Sequence, residues 1–167
     1  MNNIIITEMT LKDYESISPI LETEFDNFWN ANTLKSEIEN PNSYVIVAKI
    51  DDQILGFAGI WKAVDVMHIM DIVVSKKHRR KHIGKALLEE LIRKTYEDNI
   101  SELTLEVNEN NLPAINLYTN YNFKKIGKRK NYYGDNNNAI IMTLYIDKKI
   151  KEEFPKWKKQ MNLIINF

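Results

Sequence analysis

Cysteine is absent from the 167-residue chain, and glycine and proline are scarce, at five and four residues. Without a thiol there is no disulfide framework, no thiolate metal site and no cysteine nucleophile. That absence is compatible with the cytosol. An excess of charge of either sign is also missing, because 23 Lys and Arg balance 23 Asp and Glu. The balance argues against a dedicated nucleic-acid binder, although a local basic patch can persist within it. No uncharged apolar run approaches the ~18 residues that cross a bilayer, so no membrane association is expected. The N-terminus lacks a basic region followed by an apolar stretch and a cleavage site, so no signal peptide is expected and the cytoplasm is the expected compartment.

Internal repeats and linkers rich in Pro, Gly or Ser are missing too. With 44% apolar residues, the chain reads as one compact domain over residues 1–146, followed by a basic extension over 147–167. The three isoleucines within Asn3–Met9 predict a first strand. Thr10, with Asp13 three residues later, predicts a helix N-cap and a helix running to about Glu24. A second short helix is expected from Thr33 to before Asn40-Pro41. Ser43–Ile50, Asp51-Asp52 and Gln53–Lys62 read as a hairpin, and Val66–Ser75 as a further apolar strand. From Ile83 the apolar residues fall at 83, 87, 88, 91, 92 and 95, which is helical spacing.

Glu102–Val107 alternates, with Leu103, Leu105 and Val107 on one face and Thr104 and Glu106 on the other. Asn111–Tyr121 reads as a helix capped by Asn111, with Pro113 in its first turn where the missing N–H costs little. Phe123–Asn131 and Ala139–Ile146 are expected to pair antiparallel across the loop at 133–138. Asparagine tolerates left-handed backbone, so the clusters at Asn108–Asn111 and Asn136–Asn138 read as loops. The predicted order defines an α/β fold. It has a mixed sheet, helices on both faces and a strand–helix–strand crossover at its centre.

Residues 76–85 (KKHRRKHIGK) hold six Lys or Arg and no acid, at a junction from strand into helix. The first N–H groups of a helix have no intrahelical partner, and the helix dipole is positive at that end. Such a corner suits a phosphate or pyrophosphate, and it also reads as a solvated basic turn. A Walker A loop is excluded, because Arg79 stands where glycine is needed and Ala86 where a hydroxyl is needed. A metal held by His78 and His82 would sit amid positive charge with no carboxylate nearby, so no metal is expected.

Glu106, near the end of its strand, reads alone as a solvated carboxylate. Tyr118, beside Ala114, Ile115 and Leu117, reads alone as a core aromatic. Near the ends of successive elements and beside an anion site, the two could also serve as base and acid.

At these residues the chain resembles the GNAT superfamily of acetyl-CoA-dependent N-acetyltransferases. Within it the chain is most similar to the bacterial ribosomal-protein-alanine N-acetyltransferases, which modify a protein's N-terminal amine. The resemblance covers residues 4–146. It is carried by 71–74 (DIVV), 79–88, 105–108 (LEVN), 111–123 (NLPAINLYTNYNF), 131–133 (NYY) and 139–142 (AIIM). It implies a GNAT-like fold with acetyl-CoA as co-substrate. Ile72, Val73 and Val74 would lend backbone groups to the pantetheine arm. Arg80, Lys81, His82, Ile83, Gly84 and Lys85 would cradle the pyrophosphate, and Asn111 would also contact acetyl-CoA.

The same resemblance makes Glu106 the proton acceptor and Tyr118 the proton donor. Trp29, Tyr132 and Tyr133 match positions near the substrate groove, where they read equally as core aromatics. His82 replaces the first glycine of the family's phosphate loop. The expectation is that this position has ordinary helical geometry, so that a side chain fits. The partner implied is a protein N-terminus, that of a ribosomal protein, met by a monomer or weak dimer in direct ternary-complex transfer. Two strands splaying near Val74 and Glu106 would free N–H groups to polarise the thioester. Acetylation of lysine or a small amine, and a non-catalytic acetyl-CoA-binding module, remain as alternatives. The extension, with six lysines between Lys148 and Lys159, reads as an amphipathic cover.

Overall fold

The computed structural model describes residues 4–25, 29–147, 150 and 152. Strand β1 (Ile5–Glu8) leads into helix α1 (Leu11–Ile17) through a reciprocal cap. The Thr10 hydroxyl accepts from the Asp13 N–H at 3.2 Å, and the Asp13 carboxylate accepts from the Thr10 N–H at 2.9 Å. This satisfies two orphan donors at once. Lys49 then ties the same carboxylate to the sheet at 2.7 Å.

The single helix expected up to Glu24 is interrupted. A 3₁₀ turn over Ser18–Ile20 separates α1 from α2 (Leu21–Glu24), because Pro19 has no N–H to continue the α-helical ladder. Helix α3 (Ala31–Glu39) starts two residues before the expected Thr33, because Asn30 caps it by accepting from the Thr33 N–H at 2.9 Å.

Strands β2 (Ser43–Ile50) and β3 (Gln53–Ala63) form the expected hairpin. They are followed by β4 (Val66–Val74), helix α4 (Ile83–Glu97), β5 (Glu102–Asn108), helix α5 (Leu112–Asn120), β6 (Lys124–Arg129) and β7 (Ala139–Tyr145). The seven strands form one mixed sheet in the order β1-β2-β3-β4-β5-β7-β6. Among the described residues only β4 and β5 pair in parallel, and α4 supplies the crossover between them.

Alternation along β2 sends Ile46 and Ala48 to one face and Val45 and Val47 to the other. The first pair joins a core with α4 and α5, built on Leu87, Leu88, Leu91 and Ile115. The second pair joins a core with α1–α3, built on Ile17, Leu21, Phe25 and Leu34. Helices therefore cover both faces, as the sequence predicts. Trp29, 4% exposed, fills the second core, with its ring centre 6.2 Å from that of Phe57. Gly59 admits it, since a Cβ there would lie 2.7 Å from the indole Cη2.

The site is set by a fault in the sheet. On β4, Asp71 pairs with Gly59 and Ile69 with Ile60, leaving Met70 as an extra residue. Such a bulge bends and twists its strand. Parallel pairing of β4 with β5 runs from Val66–Glu102 to Ile69–Leu105 and stops. Beyond that point β4 stays with β3 up to Val74, while β5 stays with β7 up to Asn108. The parting thus begins well before Val74 on β4, where the expectation had placed it, because the bulge turns β4 aside first.

Of the 147–167 extension, Ile150 is buried against the α4–α5 core and its N–H donates to Asp147 at 2.9 Å. The rest of the extension, Asp147 and Glu152 apart, lies outside the described residues. No helix among the described residues is long and apolar enough to cross a membrane.

Candidate active site

The parted strands enclose a cavity of about 350 Å³, whose wall includes His68, Asp71, Glu106, Tyr118, Tyr132 and Tyr133. Alternation along β5 brings Glu106 here, because Leu103, Leu105 and Val107 point into the core. The Glu106 side chain is 10% exposed and accepts from Arg129 Nε at 2.9 Å. It is also hydrogen-bonded to the Tyr132 hydroxyl. Tyr133 donates to the Glu106 backbone carbonyl at 3.3 Å.

Tyr118 enters from α5. Asn111 starts that helix by accepting from the Ala114 N–H at 3.2 Å, with proline in the first turn. The Tyr118 ring packs on Phe123 with centres 5.6 Å apart. Burial, then the Asp71 carboxylate and Tyr133, push its phenol well above the usual range. It therefore keeps its proton at physiological pH. His68 faces the same cavity, and burial pushes its imidazole down despite the nearby Glu106 carboxylate. A neutral imidazole can accept a proton.

Asparagines shape the loop that carries the two tyrosines. Asn131 and Asn136 adopt left-handed backbone at φ 56° and 61°. The Asn131 side chain accepts from the Asn136 N–H at 3.1 Å, and that of Asn138 from the Asn131 N–H at 3.0 Å. Asn138 also donates its side-chain amide to Glu109, at the end of β5. Tyr132 and Tyr133 meet edge to face, with centres 4.9 Å apart.

A second cavity, of about 400 Å³, lies at the start of α4 against Val74 and Leu117, and Arg79, Arg80, His82, Gly84 and Lys85 line it. The turn differs from the expectation for His82, which is not helical. Its φ is 61°, and that of Arg80 is 65°. Left-handed backbone within a basic turn can aim N–H groups at an anion. The chain adopts left-handed backbone here at two residues that carry a Cβ and accepts the strain at both.

Behind the turn, the Glu89 carboxylate, 1% exposed, accepts from the Tyr121 hydroxyl and lies 3.9 Å from Lys85 Nζ. Burial pushes this carboxyl above the usual range, against the Tyr121 hydrogen bond and the Lys85 charge. The cation at the cavity is thereby linked to α5.

Ile72, Val74, Asn111, Tyr132 and Tyr133 border one or other cavity. The Val73 side chain is buried beneath β4, and Trp29 borders neither cavity, since its indole fills the core under Gly59. Lys81 is exposed on the turn itself. Sequence reading missed His68, Asp71 and Arg129. His68 was legible only as a member of an apolar strand, Asp71 only as the first residue of the 71–74 segment with no role of its own, and Arg129 only as a residue of the strand expected over Phe123–Asn131. Among the described residues no group of three His, Asp or Glu converges as a metal site.

The sheet thus parts at its parallel seam, with a basic turn at the start of α4 and a carboxylate and a phenol lining the gap, and the family that the chain matches is one of acyltransferases. The chain belongs to the acetyltransferase (GNAT) family, whose model matches residues 13–123. It is similar to the ribosomal-protein-S18-alanine N-acetyltransferase of Escherichia coli, with a TM-score of 0.78 and 26% identity over 86% of this chain and 94% of that one. A Bacillus subtilis protein that carries the name [ribosomal protein bS18]-alanine N-acetyltransferase provisionally is 31% identical over 144 residues, 85% of this chain and 95% of its own. The fold also matches a GNAT family acetyltransferase from Elizabethkingia anophelis with acetyl-CoA bound, at a TM-score of 0.69 and 19% identity over 87% of this chain and 100% of that one.

Proposed function

We propose that this N-acetyltransferase moves the acetyl group of acetyl-CoA to the N-terminal amine of a protein, the N-terminal alanine of a ribosomal protein, in a ternary complex. The observation that carries this reading is the convergence of Glu106 and Tyr118 on the cavity opened by the strand parting. The names of the relatives in Escherichia coli and Bacillus subtilis support the acceptor.

Acetyl-CoA supplies the activated acetyl as a thioester. The left-handed turn at Arg80–His82 and Lys85 offers its diphosphate N–H donors and positive charge. Backbone groups of Ile72–Val74 and the side chain of Asn111 border its path. Glu106 accepts the proton that an incoming ammonium must lose before it can attack. Backbone N–H groups of β4 freed by the parting face the carbonyl. As the new C–N bond forms and the C–S bond breaks, Tyr118 gives its proton to the departing thiolate and regains one from the proton that the attacking nitrogen sheds; with no cysteine in the chain no acetyl-cysteine forms.

Incubation with acetyl-CoA and three peptides tests the reading. One starts with free alanine, one is the same peptide with a blocked terminus, and one carries lysine behind a blocked terminus. Mass spectrometry should find acetyl only on the first. Acetyl on the lysine peptide alone would move the acceptor to side chains, and no thiol release with any peptide would leave a binding module.

A further inference from the structure

Arg129 closes the Glu106 carboxylate from the side opposite the strand parting. Its Nε lies 2.9 Å from Oε1, and its guanidinium stands 5.7 Å from the centre of the Tyr132 ring. The two partners differ in exposure, 58% for the arginine side chain against 10% for the glutamate. A carboxylate so enclosed is costly to leave without a counter-charge. A mostly exposed arginine on an edge strand loses little by swinging into water. The Tyr132 ring beside it keeps the cation near the site once it has moved.

An acceptor's ammonium needs the same carboxylate and carries the same charge. We infer that Arg129 is a positioning residue that stands in for the acceptor's ammonium, pairing with Glu106 until the acceptor takes its place. The inference rests on the proposed role of Glu106. One cation then replaces another, and Glu106 is never left unpaired. The acetylated product carries an amide, which has no charge to hold Arg129 away. The guanidinium therefore returns to Glu106 once the product is made.

Calorimetric binding of an alanine-initiated peptide to the CoA-loaded protein tests the exchange, with its N-acetylated twin as control. Arg129→Gln removes the competitor and should tighten binding of the free-amine peptide by about twofold to fivefold, the range of an exposed ion pair. Arg129→Lys keeps a cation and should stay within about twofold of wild type, because the exchange depends on charge. The acetylated twin should bind the wild type and Arg129→Gln alike. In turnover, Arg129→Gln should lower the KM for the amine and leave that for acetyl-CoA unchanged. Free-amine binding that is unchanged or weaker in Arg129→Gln, while the wild type acetylates the peptide, overturns the exchange alone. A wild type that neither binds nor acetylates the amine overturns the acceptor assignment and the exchange with it.

Discussion

Arg80 and His82, with one lysine between them, both hold left-handed backbone, at φ 65° and 61°. Glycine takes this conformation freely, and a residue with a Cβ does not. His82→Gly is therefore expected to raise stability by up to about 1 kcal/mol in urea unfolding, since relief of strain exceeds the added chain entropy. The acetyl-CoA KM should stay within about twofold, because the proposed diphosphate site draws on the backbone N–H and not on the ring. A destabilised variant would show that the histidine ring makes compensating contacts.

Tyr118 bears on the second prediction. Tyr118→Phe keeps the ring on Phe123 and removes the proton. It should slow turnover by ~10²-fold or more while acetyl-CoA affinity holds. Because burial and Asp71 keep the phenol protonated above its ordinary value of 10.0, its ionisation should cause no fall in wild-type rate below that pH. A loss under about fivefold would remove the phenol from the chemistry.

Glu106→Gln should cost ~10²–10⁴-fold near neutrality. The deficit should shrink as pH rises past the α-amino range of about 7.7–8.0, where the acceptor sheds its own proton. Parallel pH–rate profiles for wild type and variant would place the base elsewhere.

Glu89 makes a prediction about stability rather than rate. Its carboxyl titrates higher in the fold than in the open chain, chiefly through burial. The stability this contributes is fully present below the ordinary value of 4.5 and is lost as pH rises through the folded value. Glu89→Gln retains an acceptor for Tyr121 and does not titrate. Denaturant midpoints should therefore move in favour of the variant between pH 4.5 and neutrality. A constant difference across that window would mean that Lys85 holds the carboxylate charged throughout.

Much of this architecture was legible in local signals. Thr10 with Asp13, the spacing from Ile83 to Thr95, the alternation of β5 and Asn111 before Pro113 each act within a few residues, so they placed α1, α4, β5 and α5. Failures came where the controlling contact was distant or conformational. Pro19 is visible in the sequence, yet only packing decides that α2 resumes after it. The left-handed backbone at His82 belongs to a turn held between β4 and α4, and histidine gives no sign of it. The bulge at Met70 shows only when β3 is laid beside β4. The pairing of Arg129 with Glu106 joins residues of β6 and β5, and no pattern within either strand contains it.

The seam between β4 and β5 has a consequence for breathing of the molecule. Only Val66–Ile69 and Glu102–Leu105 pair across it, so the two wings of the sheet share a short hinge backed by α4. Slow amide hydrogen exchange should reveal this as a step, with protection high in β3 and β7 and falling at Met70 and Ile72. A ligand bridging the gap would lengthen the hinge and slow exchange on both wings together.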